Sequence, residues 1–251
     1  MLVSESISNQ FKTQGFVILR EVFSQEEVKQ WHDEVNRLLA LSEIIHPDNL
    51  RTRFCWVERG TMQLQKFHPV CDISPIFMDV ANDYRLTEVV DILLDGLPML
   101  FSNKLIFQFP GQLGYSIHQD ANWWSPLPYQ DMLSVMVAIN NADRENGCLE
   151  LFPGYHDQLI QQGGKSWYLP NSSVDKLQVV YGETSAGDVI IFHSLTPHKS
   201  SQNRSTRSRT QLYLSYSLAK YGNLQDQFIQ HYRSYMKQSV PELFQERLFF
   251  K

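Results

Sequence analysis

His118-Gln119-Asp120 sets an imidazole and a carboxylate two positions apart. In an extended chain such residues point to the same side, so both donors face one locus. A second histidine brought in from elsewhere would complete two imidazoles and one carboxylate. That donor set suits non-haem iron(II), because it leaves coordination positions open for a co-substrate and oxygen. Alone, an H-x-D triplet also describes a solvated turn. The later sequence adds weight: Gly187-Asp188-Val189-Ile190-Ile191-Phe192-His193 reads as a turn feeding a strand, followed by Thr196-Pro197-His198 and then by Arg204, Arg207 and Arg209. On the residues alone His193 and His198 both remain candidates for the second imidazole. Arg209, on the approach to the next strand, is suited to hold a carboxylate with two parallel hydrogen bonds.

Such residues need a rigid frame, and the chain supplies one. Gly15 to Leu19 is a short apolar run rich in β-branched residues, followed by Ser24, which can cap a helix that Glu27 reaches back to. Val28, Trp31, Val35, Leu38 and Leu39 then recur at helical spacing. Residues 46–74 show no sustained period and read as a long irregular loop. Ser74-Pro75 opens a helical stretch carrying Val80, Leu86, Val89, Val90 and Leu93 to Gly96. Beyond Gly96 short strand-like runs dominate: Leu105–Phe109, Met132–Ile139, Cys148–Phe152, Val179–Tyr181, Val189–Phe192 and Gln211–Tyr216. This pattern predicts a mainly β fold, a jelly roll flanked by helices, with a helical stretch from Leu224 to Pro241. We expect one domain over residues 1–251: a helical, loop-rich part to about residue 100, a jelly-roll core over about 101–220, and a helical tail.

Composition narrows the partners. A net charge of −5 argues against a nucleic-acid backbone, which needs a concentrated cationic face. Three scattered cysteines suggest neither disulfides nor a thiolate zinc site and fit a reducing cytoplasm. Neither a signal peptide nor a membrane span is expected.

The motifs resemble those of the phytanoyl-CoA dioxygenase (PhyH-like) branch of the iron(II)/2-oxoglutarate oxygenases. The similarity runs from Phe11-x-x-x-Gly15-Phe16-Val17 to about Ser217. It includes His118-Gln119-Asp120, Asn146-Gly147, Pro153-Gly154-x-His156, Gly187-Asp188, and His198-x-Ser200-x-x-Asn203 with Arg209. The resemblance implies a double-stranded β-helix core, iron(II) on His118, Asp120 and His198, and Arg209 on the distal carboxylate of 2-oxoglutarate. Ser200 would be a second contact, and O2 the oxidant. It selects His198 over His193, and Arg209 over Arg204 and Arg207. From the residues themselves, His156 beside Pro153-Gly154 reads as a turn residue and Asp188 beside Gly187 as a turn-former, with His32, His46, His68 and His231 in surface or packing roles. Tyr155 departs from the serine usual there, at a turn position. Asp120, where related halogenases carry a small residue, implies hydroxylation.

Trp123, Trp124 and Tyr129 follow the first ligand pair and either pack the loop or wall the substrate. Aromatic faces favour a cationic group, which leans toward an amine or quaternary-ammonium metabolite. The absence of a strongly basic groove leans away from an acyl-CoA. The expected reaction is hydroxylation of a C–H bond in a small metabolite of amino-acid, betaine or aminophosphonate type, with release of succinate and CO2. The alternatives are an acyl-CoA or natural-product hydroxylase of the same family, a zinc hydrolase, and a non-catalytic jelly-roll binding protein. The sequence leaves the oligomeric state undetermined.

Overall fold

The computed structural model of the protein describes residues 5–57, 61–124, 126–160, 168–169, 178–239 and 249–251. Helix α1 (Glu5–Gln14) leads into strand β1 (Phe16–Leu19) and then helix α2 (Gln25–Leu39). The start of α2 follows its sequence: the Ser24 hydroxyl accepts from the Glu27 amide while the Glu27 carboxylate accepts from the Ser24 amide. Val28, Trp31, Val35 and Leu38 are buried along its inner face. Between α1 and β1 the chain turns at Gly15 with φ +85°, and a Cβ there would lie 2.6 Å from both the His156 ring and Thr196 Oγ1. Only glycine fits that turn.

Two expectations are corrected. The helical stretch from Ser74 to Gly96 is two helices, α3 (Pro75–Ala81) and α4 (Tyr84–Leu94). The Asp83 side chain accepts from the Arg85 amide and caps a new start, while the apolar period runs on across the break and conceals it. Residues 46–74 are not an irregular loop. They contain an antiparallel pair, β2 (Thr52–Val57) and β3 (Thr61–Phe67), with a register shift between Arg53 and Phe54. The shift breaks strict alternation, and polar residues of the pair line a cavity instead of a packed core, so the signal of a half-buried strand is lost.

The remaining elements are β4 (Pro98–Gln108), α5 (Ala121–Trp124), β5 (Met132–Ala138), β6 (Leu149–Leu151), β7 (Val180–Gly182), β8 (Val189–His193), β9 (His198–Ser200), β10 (Arg209–Leu218) and α6 (Gln225–Ser239). The far end of the helix expected to reach Pro241 lies outside the described residues. A seven-stranded sheet has the order β1-β8-β5-β10-β4-β3-β2, and a three-stranded sheet the order β7-β6-β9. Together they form the expected double-stranded β-helix with flanking helices.

Period-two alternation assigns the two faces of the large sheet. Leu105, Phe107, Leu133, Val135, Val137, Leu212 and Leu214 point outward into the core shared with α2, α3 and α4. Burying each such side chain stabilises the fold by about 1.5–3 kcal/mol. The intervening residues point toward the small sheet: Lys104 and Ile106 on β4, Met136 and Ala138 on β5, and Arg209, Gln211 and Tyr213 on β10. In register, Arg209 pairs with Gln108 and Tyr213 with Lys104. Among the described residues no helix is long and apolar enough to cross a membrane.

Candidate metal centre

His118 and His198 exchange backbone hydrogen bonds, each amide donating to the other's carbonyl at 2.9 Å. His118 therefore sits in a one-residue bridge alongside β9 rather than at the end of a longer strand. Asp120 lies just before α5, its carbonyl accepting from the Trp123 and Trp124 amides. Its Oδ1 is 3.8 Å from His118 Nε2 and 3.9 Å from His198 Nε2, and the three donor atoms all lie within 4.8 Å of one another. All three residues are buried.

The chemistry of these atoms suits a divalent metal. His118 Nδ1 donates to the Ser116 carbonyl at 2.8 Å and His198 Nδ1 to the Thr196 carbonyl at 2.9 Å. A carbonyl only accepts, so each Nδ1 carries the proton and each Nε2 presents its lone pair. Burial pushes both imidazoles below the ordinary histidine range, so they are neutral near pH 7. Burial opposes ionisation of Asp120, but the Lys104 ammonium, with the adjoining histidine rings and the Ser134 hydroxyl, outweighs it and holds the carboxyl below its ordinary value. Two neutral imidazoles and one carboxylate are the protonation states that metal binding requires.

Ser134 on β5 donates to Asp120 Oδ2 at 2.7 Å, leaving Oδ1 turned toward the histidines. Partners of this kind orient a ligating carboxylate. Ser134→Ala is expected to lower iron(II) affinity by about ten- to a hundredfold, read by competition with a chromogenic chelator. Unchanged affinity would show that the carboxylate is oriented by other contacts.

A cavity of about 470 Å³ opens beside the three donors. Arg209 reaches it from the first residue of β10 and is 2% exposed. Its terminal nitrogens donate to the side-chain oxygens of Gln108 and Gln211, and among the described residues its Nε has no partner. Tyr115 Oη and Gln211 Nε2 are likewise buried without partners. A buried guanidinium held by neutral amides, beside unsatisfied polar atoms, is a setting in which an anionic carboxylate would be bound strongly. Arg207 points elsewhere, pairing on the surface with Asp143 at 2.5 Å and Glu145 at 3.3 Å. Ser200 also lines the cavity, its Oγ accepting from the Tyr115 amide at 3.0 Å. Gly114 permits that contact, since a Cβ there would lie 2.0 Å from the Ser200 carbonyl oxygen.

His193 stays out of the cluster: its Nε2 donates to the Gln130 carbonyl and its Nδ1 accepts from the Leu195 amide, at 3.0 and 3.2 Å. His156 Nε2 donates to the Lys12 carbonyl at 3.2 Å. Asp188 accepts from the Glu21 and Ser185 amides, as a turn-former does. His68 packs against Phe228 and Tyr232 and His231 is exposed, in keeping with packing and surface roles, and both also border the cavity. The aromatic trio divides. Trp123 lines the cavity and meets Tyr168 edge-on, with centroids 6.2 Å apart. Trp124 borders the cavity but packs edge-on to Phe101 at 5.0 Å among Met132, Leu224 and Phe228. Tyr129 packs against that cluster and does not line the cavity. The short helix α5, not an extended segment, separates the rings.

Sequence reasoning missed a basic wall of the same cavity. Arg53 on β2, Lys66 on β3 and Lys104 on β4 line the cavity together with Tyr115 and Tyr213. No run of basic residues announced them, because each comes from a different strand. Once β2 and β3 are placed, their pairing supplies the missing signal: Arg53 faces Lys66, and Lys66 faces Ile106, two residues from Lys104.

The model of the phytanoyl-CoA dioxygenase (PhyH) family matches residues 11–211 of the chain. A 2-aminoethylphosphonate dioxygenase from an uncultured bacterium is 27% identical over 214 residues, covering 78% of this chain and 82% of its own. A methylphosphonate hydroxylase from Gimesia maris is 27% identical over 229 residues, covering 90% and 85%. Among solved structures, EctD from S. alaskensis with 2-oxoglutarate and 5-hydroxyectoine superposes with a TM-score of 0.76 at 22% identity, over 87% of this chain and 77% of that one.

Proposed function

We propose, for a chain that belongs to the phytanoyl-CoA dioxygenase (PhyH) family, that it is an iron(II)- and 2-oxoglutarate-dependent dioxygenase that hydroxylates a C–H bond of a small metabolite. The observation that carries this reading is the convergence of His118, Asp120 and His198 on one locus in the same cavity as the buried Arg209. The three residues would hold the metal, and Arg209 with Ser200 would hold the distal carboxylate of 2-oxoglutarate. Bound iron(II) supplies the redox chemistry by which O2, 2-oxoglutarate and a C–H bond become succinate, CO2 and an alcohol.

The chain's own groups do the remainder. The carbonyls of Ser116 and Thr196 fix the histidine rings, and Ser134 fixes the carboxylate. Gln108 and Gln211 hold the Arg209 guanidinium as a preformed fork, so little side-chain freedom is lost when a carboxylate docks. Trp123 would flank the substrate.

A cavity of about 470 Å³ that must also admit the co-substrate favours a compact metabolite over a coenzyme A thioester. Two relatives are named for phosphonates, which supports the aminophosphonate option among amino acids, betaines and aminophosphonates. The purified protein is expected to bind one iron(II) per chain and to form succinate from 2-oxoglutarate only with oxygen present, stimulated by its substrate. Amino acids, betaines and aminophosphonates assayed beside acyl-CoAs identify the class. Full activity with zinc in the absence of oxygen would replace this reading with a hydrolase.

A further inference from the structure

We propose that Lys66 and Lys104, with Arg53 beside them, form a subsite for a doubly charged phosphorus head group on the substrate, a phosphonate or a phosphate monoester. The proposal rests on the oxygenase reading above and specifies its substrate. It stands on the arrangement of charge in the cavity. Lys66 pairs in register with Ile106, so Lys104 is its diagonal neighbour across β3 and β4, with Arg53 directly opposite Lys66 on the other side. Three cationic side chains thus occupy adjacent strands on one wall, at Cβ spacings of about 5–8 Å.

Among the described residues, neither lysine forms an ion pair with a carboxylate. The Lys66 ammonium lies 5.7 Å from the centre of the Tyr232 ring and that of Lys104 lies 5.4 Å from the centre of the Tyr213 ring. The other cations of the cavity have assigned tasks. Lys199 pairs with Glu150 at 3.2 Å, and Arg209 is given to the co-substrate carboxylate. The one acid among the lining residues, Asp120, is committed to the metal donors.

Like charges gathered in a buried wall repel one another and lose hydration. Burial, and then the charges of Lys104 and Arg53, push the Lys66 ammonium well below the ordinary lysine range. A dianion with several acceptor oxygens relieves both penalties at once, whereas a monocarboxylate answers fewer of the donors and a quaternary ammonium adds to the repulsion. His68 on the same wall, held by Ser102 at 3.0 Å, keeps a buried Nδ1 without a partner among the described residues and offers one further hydrogen bond. The lean toward a purely cationic substrate drawn from Trp123 and Trp124 is therefore replaced by an anionic head, with Trp123 left to flank the remainder of the molecule.

Calorimetric titration of the iron- and 2-oxoglutarate-loaded protein under anaerobic conditions tests this. The probes are methylphosphonate, methyl phosphate, acetate and tetramethylammonium. Either phosphorus dianion is expected to bind at least tenfold more tightly than acetate, and the tighter of the two identifies the head group. Lys66→Gln and Lys104→Gln should each weaken that binding by about ten- to a hundredfold, with Lys104→Arg retaining most of it. Retained iron and an unchanged melting temperature separate a lost subsite from a lost fold. Equal binding of all four probes, or undiminished phosphonate binding in both glutamine variants, would overturn the subsite. Oxygen-dependent succinate formation stimulated only by neutral or cationic compounds would overturn it while leaving the oxygenase intact. Tight phosphonate binding with no oxygen-dependent succinate from any compound would do the reverse.

Discussion

His198→Ala is expected to abolish turnover and to weaken iron(II) binding by on the order of a hundredfold or more, while His193→Ala keeps both. Three protein donors leave none in reserve, and loss of even an outer partner of a ligand costs about ten- to a hundredfold in metal affinity. The two histidines are only five positions apart, yet their surroundings differ. His198 turns Nε2 toward Asp120, whereas both ring nitrogens of His193 are engaged by backbone at Gln130 and Leu195. Chelator competition and succinate formation measured on both variants decide the matter, and tight iron retained by His198→Ala would refute the assignment. Because burial depresses His118 and His198, protons compete with iron only below the ordinary histidine range. Iron affinity should hold through mildly acidic pH and fall when the rings finally protonate.

Arg209→Ala should raise the 2-oxoglutarate requirement by about ten- to a hundredfold and leave iron affinity nearly unchanged, since one charge-assisted carboxylate contact is worth roughly 1.5–3 kcal/mol. Arg209→Lys should also be impaired. It keeps the charge, but a single ammonium cannot reproduce the planar fork that Gln108 and Gln211 hold in place. Arg207→Ala serves as the control, because its guanidinium pairs with Asp143 and Glu145 at the surface. Titration of the co-substrate against succinate formation reads all three variants. An effect in Arg207→Ala that is absent from Arg209→Ala would move the carboxylate site.

The legible parts of this molecule are those whose physics is local. The Ser24–Glu27 capping box is written in four consecutive residues, and the hydrophobic strands β5, β8 and β10 declare themselves as continuous apolar-rich runs because both faces of each are buried. His118 and Asp120 share a side because alternation is also local. The β2–β3 pair was illegible for the opposite reason: its inner residues face a cavity instead of a core, and a register shift interrupts the pattern. Arg53, Lys66 and Lys104 become one wall only through strand pairing that no short window of sequence contains. Gln108 and Gln211 were overlooked because amides carry no charge, although the in-register pairing of Gln108 with Arg209 makes the contact natural once β4 and β10 are aligned.

The mutual amide bonds between His118 and His198 also govern when a metal can first be captured. They join positions eighty residues apart, a loop whose closure costs about 4 kcal/mol of chain entropy that strand pairing must offset. A nascent chain not yet extended past His198 offers only His118 and Asp120, too few donors to retain iron. On the proposed ligand set, metallation would follow the pairing of His118 with His198 and so come late in the life of the polypeptide. Free metal added afterwards should raise the melting temperature in proportion to the logarithm of its concentration above the dissociation constant, by an amount equivalent to about 2.7 kcal/mol at a hundredfold excess.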